Sequence, residues 1–225
     1  MQTKWLRTVM AVALGSAATL ASAGTVDLTG WTFGSGNTIN VATPAHNGLA
    51  GGFIGSISGF GALDSNSFKT YCVELTQYFS FSNSMTGYSI LTPAAYGEWG
   101  SNFAAIANRI GQLITYVNAN PTAVDTAGES TSLQLAIWNS IYDTDNSLTT
   151  GSFKDTSSFA TYATTLLTNS VNTISNLNVF VLANGNSQDF LVTTRVPEPG
   201  TLALMAAGFA GLGFSARRRR ARLSA

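Results

Sequence analysis

Cys72 is the only cysteine in this chain of 225 residues, and Gln134 lies downstream of it in a stretch of helical character. The two side chains can react with each other, because a thiol can replace ammonia on a carboxamide carbonyl and form a thioester. A thiol with a pKa of about 8.5 leaves a carbonyl far more readily than an amide nitrogen does. A primary amine could therefore attack the carbonyl of Gln134, form a stable amide and free Cys72 as a thiol.

Each of these residues also has a simpler explanation. A lone thiol can be buried and inert, or, in an oxidising compartment, paired between chains. Free cysteine on a strand is commonly a small buried hydrophobic residue. Gln134 stands three residues after Thr131, the spacing of a capping box at a helix start.

The elements that would position the two residues differ in type. Cys72 lies in a strand-like segment, and Gln134 is expected in the first turn of a helix, where unpaired N–H groups would stabilise an oxyanion. Hydrophobic patterning predicts strands at 26–33, 38–41, 53–60 and 68–81, helices at 103–117, 130–142 and from 157 or 158 to 171, and a hairpin of 177–183 with 189–196. The predicted fold class is α+β, a β-rich body with an inserted helical block and a C-terminal β-hairpin.

The N-terminal segment, 1–23, predicts a secretory signal peptide. Lys4 and Arg7 precede an apolar run at 8–20, and the small residues at 21–23 form a cleavage site for signal peptidase. The run is too short for a membrane anchor. The mature chain should begin at Gly24.

The C-terminal segment, residues 197–225, combines three unlike elements. A transmembrane helix is expected at about 201–216, followed by a basic tail at 217–225 that suits the cytoplasmic side. The signal residues are Pro197, Glu198 and Pro199, then Arg217, Arg218, Arg219 and Arg220. Together they closely resemble the PEP-CTERM sorting signal of Gram-negative bacteria. The alternative is an ordinary C-terminal anchor with a proline-rich linker.

This resemblance implies a route out of the cell. An exosortase would recognise the signal and cleave near Pro197-Glu198-Pro199. The protein would touch the membrane only through the C-terminal helix before processing. It would be anchored transiently in the inner membrane and then reach the cell surface or the extracellular matrix.

The body between the two signals, residues 24–196, has the length of one domain. It carries four basic against ten acidic side chains, a formal net charge of −6. An acidic surface without a basic stripe argues against nucleic acid as a partner.

Two motifs in this body carry a second resemblance. Tyr-Cys-Val-Glu at 71–74 and Gln-Leu-Ala-Ile-Trp at 134–138 resemble the thioester domains of bacterial surface adhesins, the TQxA type. Those domains are α+β. The resemblance implies a crosslink between Cys72 and Gln134 that needs no cofactor. It also implies covalent capture of an amine-bearing extracellular ligand, a single-use reaction without enzymatic turnover.

The residues beside the two reactive groups are expected to form a supporting pocket. Tyr71 and Trp138 would supply a wall that keeps water out, and Glu74 belongs to the same motif as the thiol. Two alternatives remain open. One is a structural matrix or biofilm protein, sorted by exosortase, with an inert cysteine. The other is a cysteine-dependent hydrolase or transferase.

Other chemistry has little support in the sequence. His46 is the sole histidine and lies in a loop-like segment at 43–48, without a catalytic signature around it. A zinc site needs more ligands than the chain offers. Asp143 and Asp145 could supply oxygen ligands to calcium, but they lack the glycine and distant glutamate of an EF-hand. No metal site is predicted, and these two residues otherwise form a turn after the helix.

Overall fold

The structure is a computed structural model that describes residues 23–81 and 83–196. The predicted signal peptide, apart from its last residue, lies outside these ranges. The sorting signal also lies outside them, with Pro197, Glu198, Pro199, Arg217, Arg218, Arg219, Arg220 and the expected transmembrane helix. None of the helices in the described ranges is both long and apolar enough to cross a membrane.

The described chain alternates between strands and a helical block. The strands are β1 Gly24–Trp31, β2 Asn37–Thr43, β3 Ala45–Ala50, β4 Phe53–Ser58, β5 Ser65–Thr70, β6 Met85–Leu91, β7 Lys154–Asp155, β8 Leu177–Ala183 and β9 Phe190–Arg195. The α-helices are α1 Phe103–Ala119, α2 Ala127–Tyr142 and α3 Ala160–Ser170. The α+β class, the helical block and the C-terminal hairpin of β8 and β9 are confirmed.

The larger sheet has six strands in the order β5-β4-β1-β6-β8-β9, and each neighbouring pair is antiparallel. The chain just after β5 pairs with β9 at the other end of this order. Leu191 N–H donates to Tyr71 C=O at 2.9 Å, and Val73 N–H donates to Asp189 C=O at 3.1 Å. The sheet therefore nearly closes on itself at residues 71–73.

Helix α2 packs between the other helices and a smaller sheet of order β3-β2-β7. It is enclosed on all sides, and every residue from Ser130 to Ser140 is buried. Its polar side chains are bonded rather than exposed. Ser130 Oγ accepts a hydrogen bond from Gly52 N–H at 2.8 Å, and Thr131 Oγ1 donates to Ala50 C=O at 2.8 Å. These contacts join α2 to the loop before β4.

The start of α2 differs from the sequence prediction. The N-cap is Thr126, whose Oγ1 accepts from Glu129 N–H at 3.3 Å, and Glu129 Oε2 accepts from Thr126 N–H at 3.0 Å. Gln134 is thus the eighth residue of the helix and not in its first turn. The predicted capping box of Thr131 and Gln134 is also wrong. Small and polar residues at 127–132 hide the helical period from the sequence.

Two strand predictions are also wrong. The strand predicted at 68–81 ends at Thr70, because the chain beyond it makes only an isolated bridge between Cys72 and Phe190. Residues 45–50 form β3 and not a loop. Full antiparallel pairing of β3 with β2 outweighs the weak strand propensity of a segment rich in Asn and Gly.

Candidate functional site

Gln134 and Cys72 are in direct contact through two hydrogen bonds. Cys72 N–H donates to Gln134 Oε1 at 2.8 Å, and Gln134 Nε2 donates to Cys72 C=O at 2.8 Å. Gln134 has no exposed surface, and Cys72 is 7% exposed. The structure therefore brings together the two residues that the sequence analysis singled out.

The contact exists because strand β4 leaves the sheet beside Cys72. The last pair of β4 with β5 is Phe53 with Thr70, so a longer β4 would place Gly51 opposite Cys72. Gly51 instead has a positive φ, which favours glycine, and the chain turns away. Cys72 thereby loses the strand partner for its N–H and C=O. The side-chain amide of Gln134 takes that partner's place.

This geometry sets an electrophile beside the residue that carries the thiol. The backbone N–H and C=O of Cys72 hold the amide of Gln134, and the sulfur is two bonds from the Cα between these groups. The N–H on Gln134 Oε1 would stabilise negative charge developing on that oxygen. Burial, and to a lesser extent the charge of Glu74, raises the pKa of the Cys72 thiol well above its usual value. A reaction at this sulfur therefore needs a nearby proton acceptor.

A cavity of about 380 Å³ opens beside this contact, and its lining includes Cys72, Glu74 and Trp138. Tyr71 instead lines a separate cavity. Successive side chains of an extended segment point to opposite faces, so neighbours Tyr71 and Cys72 cannot share one cavity. Of the three residues expected to support the crosslink, Glu74 and Trp138 lie on the side of the sulfur.

Glu74 is fixed at the cavity by several hydrogen bonds. Its Oε1 accepts from Asp189 N–H at 3.4 Å. Its C=O accepts from Trp138 Nε1 at 3.2 Å and from Gln188 Nε2 at 3.1 Å. Burial, reinforced by the negative charge of Asp189, raises the pKa of Glu74 to about 7, although the Asp189 N–H opposes the shift. Glu74 can therefore both accept and release a proton near neutral pH.

His46 and Gln77 also line this cavity, and the sequence analysis did not place them there. The His46 ring lies 6.0 Å from the ring of Tyr78 and 6.2 Å from that of Trp138. Burial lowers the pKa of His46, which favours the neutral imidazole. Gln77 Oε1 is buried and has no hydrogen-bond partner within residues 23–81 and 83–196. Only their convergence in space identifies these residues, because no local motif marks them.

The Asp143–Asp145 turn is organised around Arg109. The guanidinium of Arg109 donates to the C=O groups of Asp143 and Asp145. The Asp143 carboxylate accepts from Thr144 N–H at 2.7 Å and from Phe153 N–H at 2.9 Å. Across the described part of the chain, no three His, Cys, Asp or Glu side chains are grouped so that they could hold a metal ion.

Comparison with known proteins identifies one segment. Residues 195–220 match the PEP-CTERM protein-sorting motif. No curated protein and no solved structure matches the chain. The motif implies an exported protein that is processed by exosortase and sorted to the cell surface. Because the match is confined to the C-terminal segment, it says nothing about Cys72 and Gln134, and the thioester stays a prediction.

Proposed function

We propose that this exported protein carries an internal thioester between Cys72 and Gln134 and uses it once, to capture an amine-bearing partner outside the cell. The observation that carries the proposal is the pair of 2.8 Å hydrogen bonds between the Gln134 amide and the Cys72 backbone. They hold the buried carboxamide beside the residue that carries the thiol, and Cys72 also lines the cavity through which a partner could enter.

Formation of the thioester exchanges one bond for another. Cys72 Sγ attacks Gln134 Cδ, the Sγ–Cδ bond forms, and the Cδ–Nε2 bond breaks. The thiol proton leaves with the nitrogen as ammonia, and Glu74 in the same cavity can carry it between the two. Cys72 N–H, which already donates to Gln134 Oε1, stabilises the negative charge on that oxygen.

Capture of the partner reverses the roles. The nitrogen of a primary amine attacks Gln134 Cδ, the Sγ–Cδ bond breaks, and the amine proton passes to the sulfur of Cys72. The product is a stable amide and a free thiol, so the domain does not turn over. Burial of the bond beside Trp138 keeps water from hydrolysing it first.

The surroundings of Cys72 favour this reaction over enzymatic catalysis. A cysteine hydrolase or transferase needs a persistent thiolate, and such sites lower the pKa of the thiol. Here burial and Glu74 raise that pKa. A structural matrix protein fits the same contact, because the two hydrogen bonds alone satisfy the Cys72 backbone. Only the covalent state of the protein separates the two functions.

Intact mass spectrometry of the purified protein tests the proposal. The mass should be lower than that of the processed sequence by one ammonia, and methylamine should then add at Gln134 and expose one thiol. The Cys72→Ala protein, with the same fold, should show neither change. A wild-type protein with the full sequence mass, whose Cys72 is alkylated completely on unfolding, would exclude the thioester.

A further inference from the structure

The cavity beside Cys72 combines features that none of the motifs predicts. Its walls include the aromatic rings of Phe53, Phe79 and Trp138, and Tyr78 stands at its mouth with 70% of its surface exposed. Its polar groups are few. The most informative is Gln77 Oε1, a buried acceptor that has no donor among the described residues.

A buried acceptor without a donor is costly, commonly about 1–3 kcal/mol, and so points to a ligand that donates a hydrogen bond. The carboxyl group of Glu74 offers further acceptor positions on the same lining. Both groups suit a ligand whose polar end carries several N–H donors. An ammonium group has three and accepts none.

The aromatic groups around these acceptors suit a cation as well. The ring of His46 lies between two others: its centroid is 6.0 Å from that of Tyr78 and 6.2 Å from that of Trp138. The three rings are therefore close neighbours, and an aromatic face attracts an ammonium group that lies within about 6 Å of its centroid. Burial lowers the pKa of His46 and favours its neutral form, so the imidazole does not repel the ligand. The net charge of −6 on residues 24–196 attracts cations toward the protein.

We propose that this cavity is a reversible binding site for an unbranched alkyl ammonium group, with Glu74 and Gln77 as hydrogen-bond acceptors and His46, Tyr78 and Trp138 as its aromatic wall. Its volume of about 380 Å³ admits one flexible chain of several methylene groups and not a folded surface. An amino sugar fits less well, because its hydroxyl groups would lie against the aromatic walls without partners.

This proposal rests on and deepens the proposed function, since a bound amine would lie beside Cys72, whose backbone holds the Gln134 amide. Reversible binding does not, however, require the thioester. The Cys72→Ala full-length protein separates the two. In this protein 1,5-diaminopentane should shift the NMR signal of the Trp138 indole N–H in a saturable manner. Glucosamine and 1-pentanol should bind at least about tenfold more weakly, because each lacks one part of the match.

Two substitutions in the Cys72→Ala protein test the named acceptors. Glu74→Gln and Gln77→Leu should each weaken diaminopentane binding about tenfold, whereas Gln112→Leu on α1, outside the cavity, should leave it unchanged. Near-ultraviolet circular dichroism checks that each variant is folded. If a variant does not fold, the rate of covalent labelling of the wild-type protein is measured against amine concentration instead. A rate that saturates with diaminopentane but rises linearly with methylamine supports the site.

Two outcomes would overturn the ammonium site. One is the absence of saturable diaminopentane binding to folded Cys72→Ala protein, even if the wild-type protein contains the thioester. The other is equal binding of 1-pentanol, which would make the cavity merely apolar. Saturable binding to a protein whose wild-type form lacks the thioester would support the site and reject the covalent function.

Discussion

The carboxamide of Gln134 replaces a missing strand beside Cys72: its oxygen and nitrogen each bond the Cys72 backbone at 2.8 Å. A helical side chain thus completes the hydrogen bonding of a sheet at the point where the sheet nearly closes. The same contact serves a structural protein and a thioester protein. The contact stabilises the fold in either case, and only the covalent state of the two residues differs.

Gln134→Ala should destabilise the protein by about 2–6 kcal/mol when made in the Cys72→Ala background, where no thioester can form. It leaves the buried N–H and C=O of residue 72 without partners, at about 1–3 kcal/mol each. Equilibrium urea unfolding measures the loss. Gln112→Ala, a partly exposed glutamine on α1, is the control and should change stability very little. Equal effects of the two substitutions would contradict the structural role of Gln134.

Glu74→Gln should raise the free energy of unfolding, compared with the wild-type protein, by more at pH 8 than at pH 5. The folded state raises the pKa of Glu74 to about 7 from an ordinary value of 4.5, so the folded state binds the proton more tightly than the unfolded state. The wild-type protein therefore loses stability as pH rises between these two values. The glutamine cannot ionise and does not incur this loss. Denaturant unfolding of both proteins across this range gives the difference, and a difference independent of pH would contradict the raised pKa.

Thr126→Ala should destabilise the protein by about 1 kcal/mol, because it removes the side chain that caps α2. Thermal and denaturant unfolding measure the effect. Thr165→Ala is the matched control, since Thr165 is an exposed residue within α3 and alanine is the better helix former. If Thr165→Ala lowered the free energy of unfolding as much as Thr126→Ala does, the cap at Thr126 would not be the cause of the loss.

Arg109→Met should destabilise the protein by about 3 kcal/mol and open the turn after α2 to proteases. The substitution removes a charged donor from the C=O groups of Asp143 and Asp145 and from Asn139 Oδ1, which accepts at 3.0 Å. Limited proteolysis should then cut within residues 143–153. Lys69→Met, an exposed residue on β5, should leave this turn protected. Intact turns in both variants would show that Arg109 does not organise the segment.

Hydrophobic periodicity was sufficient to predict α1, most of α2 and the hairpin of β8 and β9, because each has an apolar face of regular period. It placed the start of α2 at residue 130 instead of Ala127, because the first two turns are small or polar, and Ser130 and Thr131 are polar yet buried. Their hydroxyl groups bond Gly52 and Ala50 and so replace apolar packing. Strand β3 was missed for a similar reason, since its pairing with β2 depends on contacts that hydrophobic patterning does not record.

The site shows the same division. Short motifs drew attention to Cys72 and Gln134, and the structure places them in contact. No short motif marks His46 or Gln77 as a site residue. His46 belongs to β3, and Gln77 lies in the irregular chain after Val73. They line one cavity because β3 of the smaller sheet and the chain after Val73 both border it. A sequence pattern can identify a reactive pair, but the cavity around it is set by tertiary structure.

The contact of Cys72 with Gln134 spans 62 positions of the chain. In the proposed crosslinked form, tension applied to the two ends of the domain would pass through the covalent bond and bypass the chain between them. Without the bond, the same tension would pull those positions out into an extended chain far longer than the folded domain. In an exported protein held at one end and bound at the other, the chain between Cys72 and Gln134 could thus not be extended even after the sheet had separated.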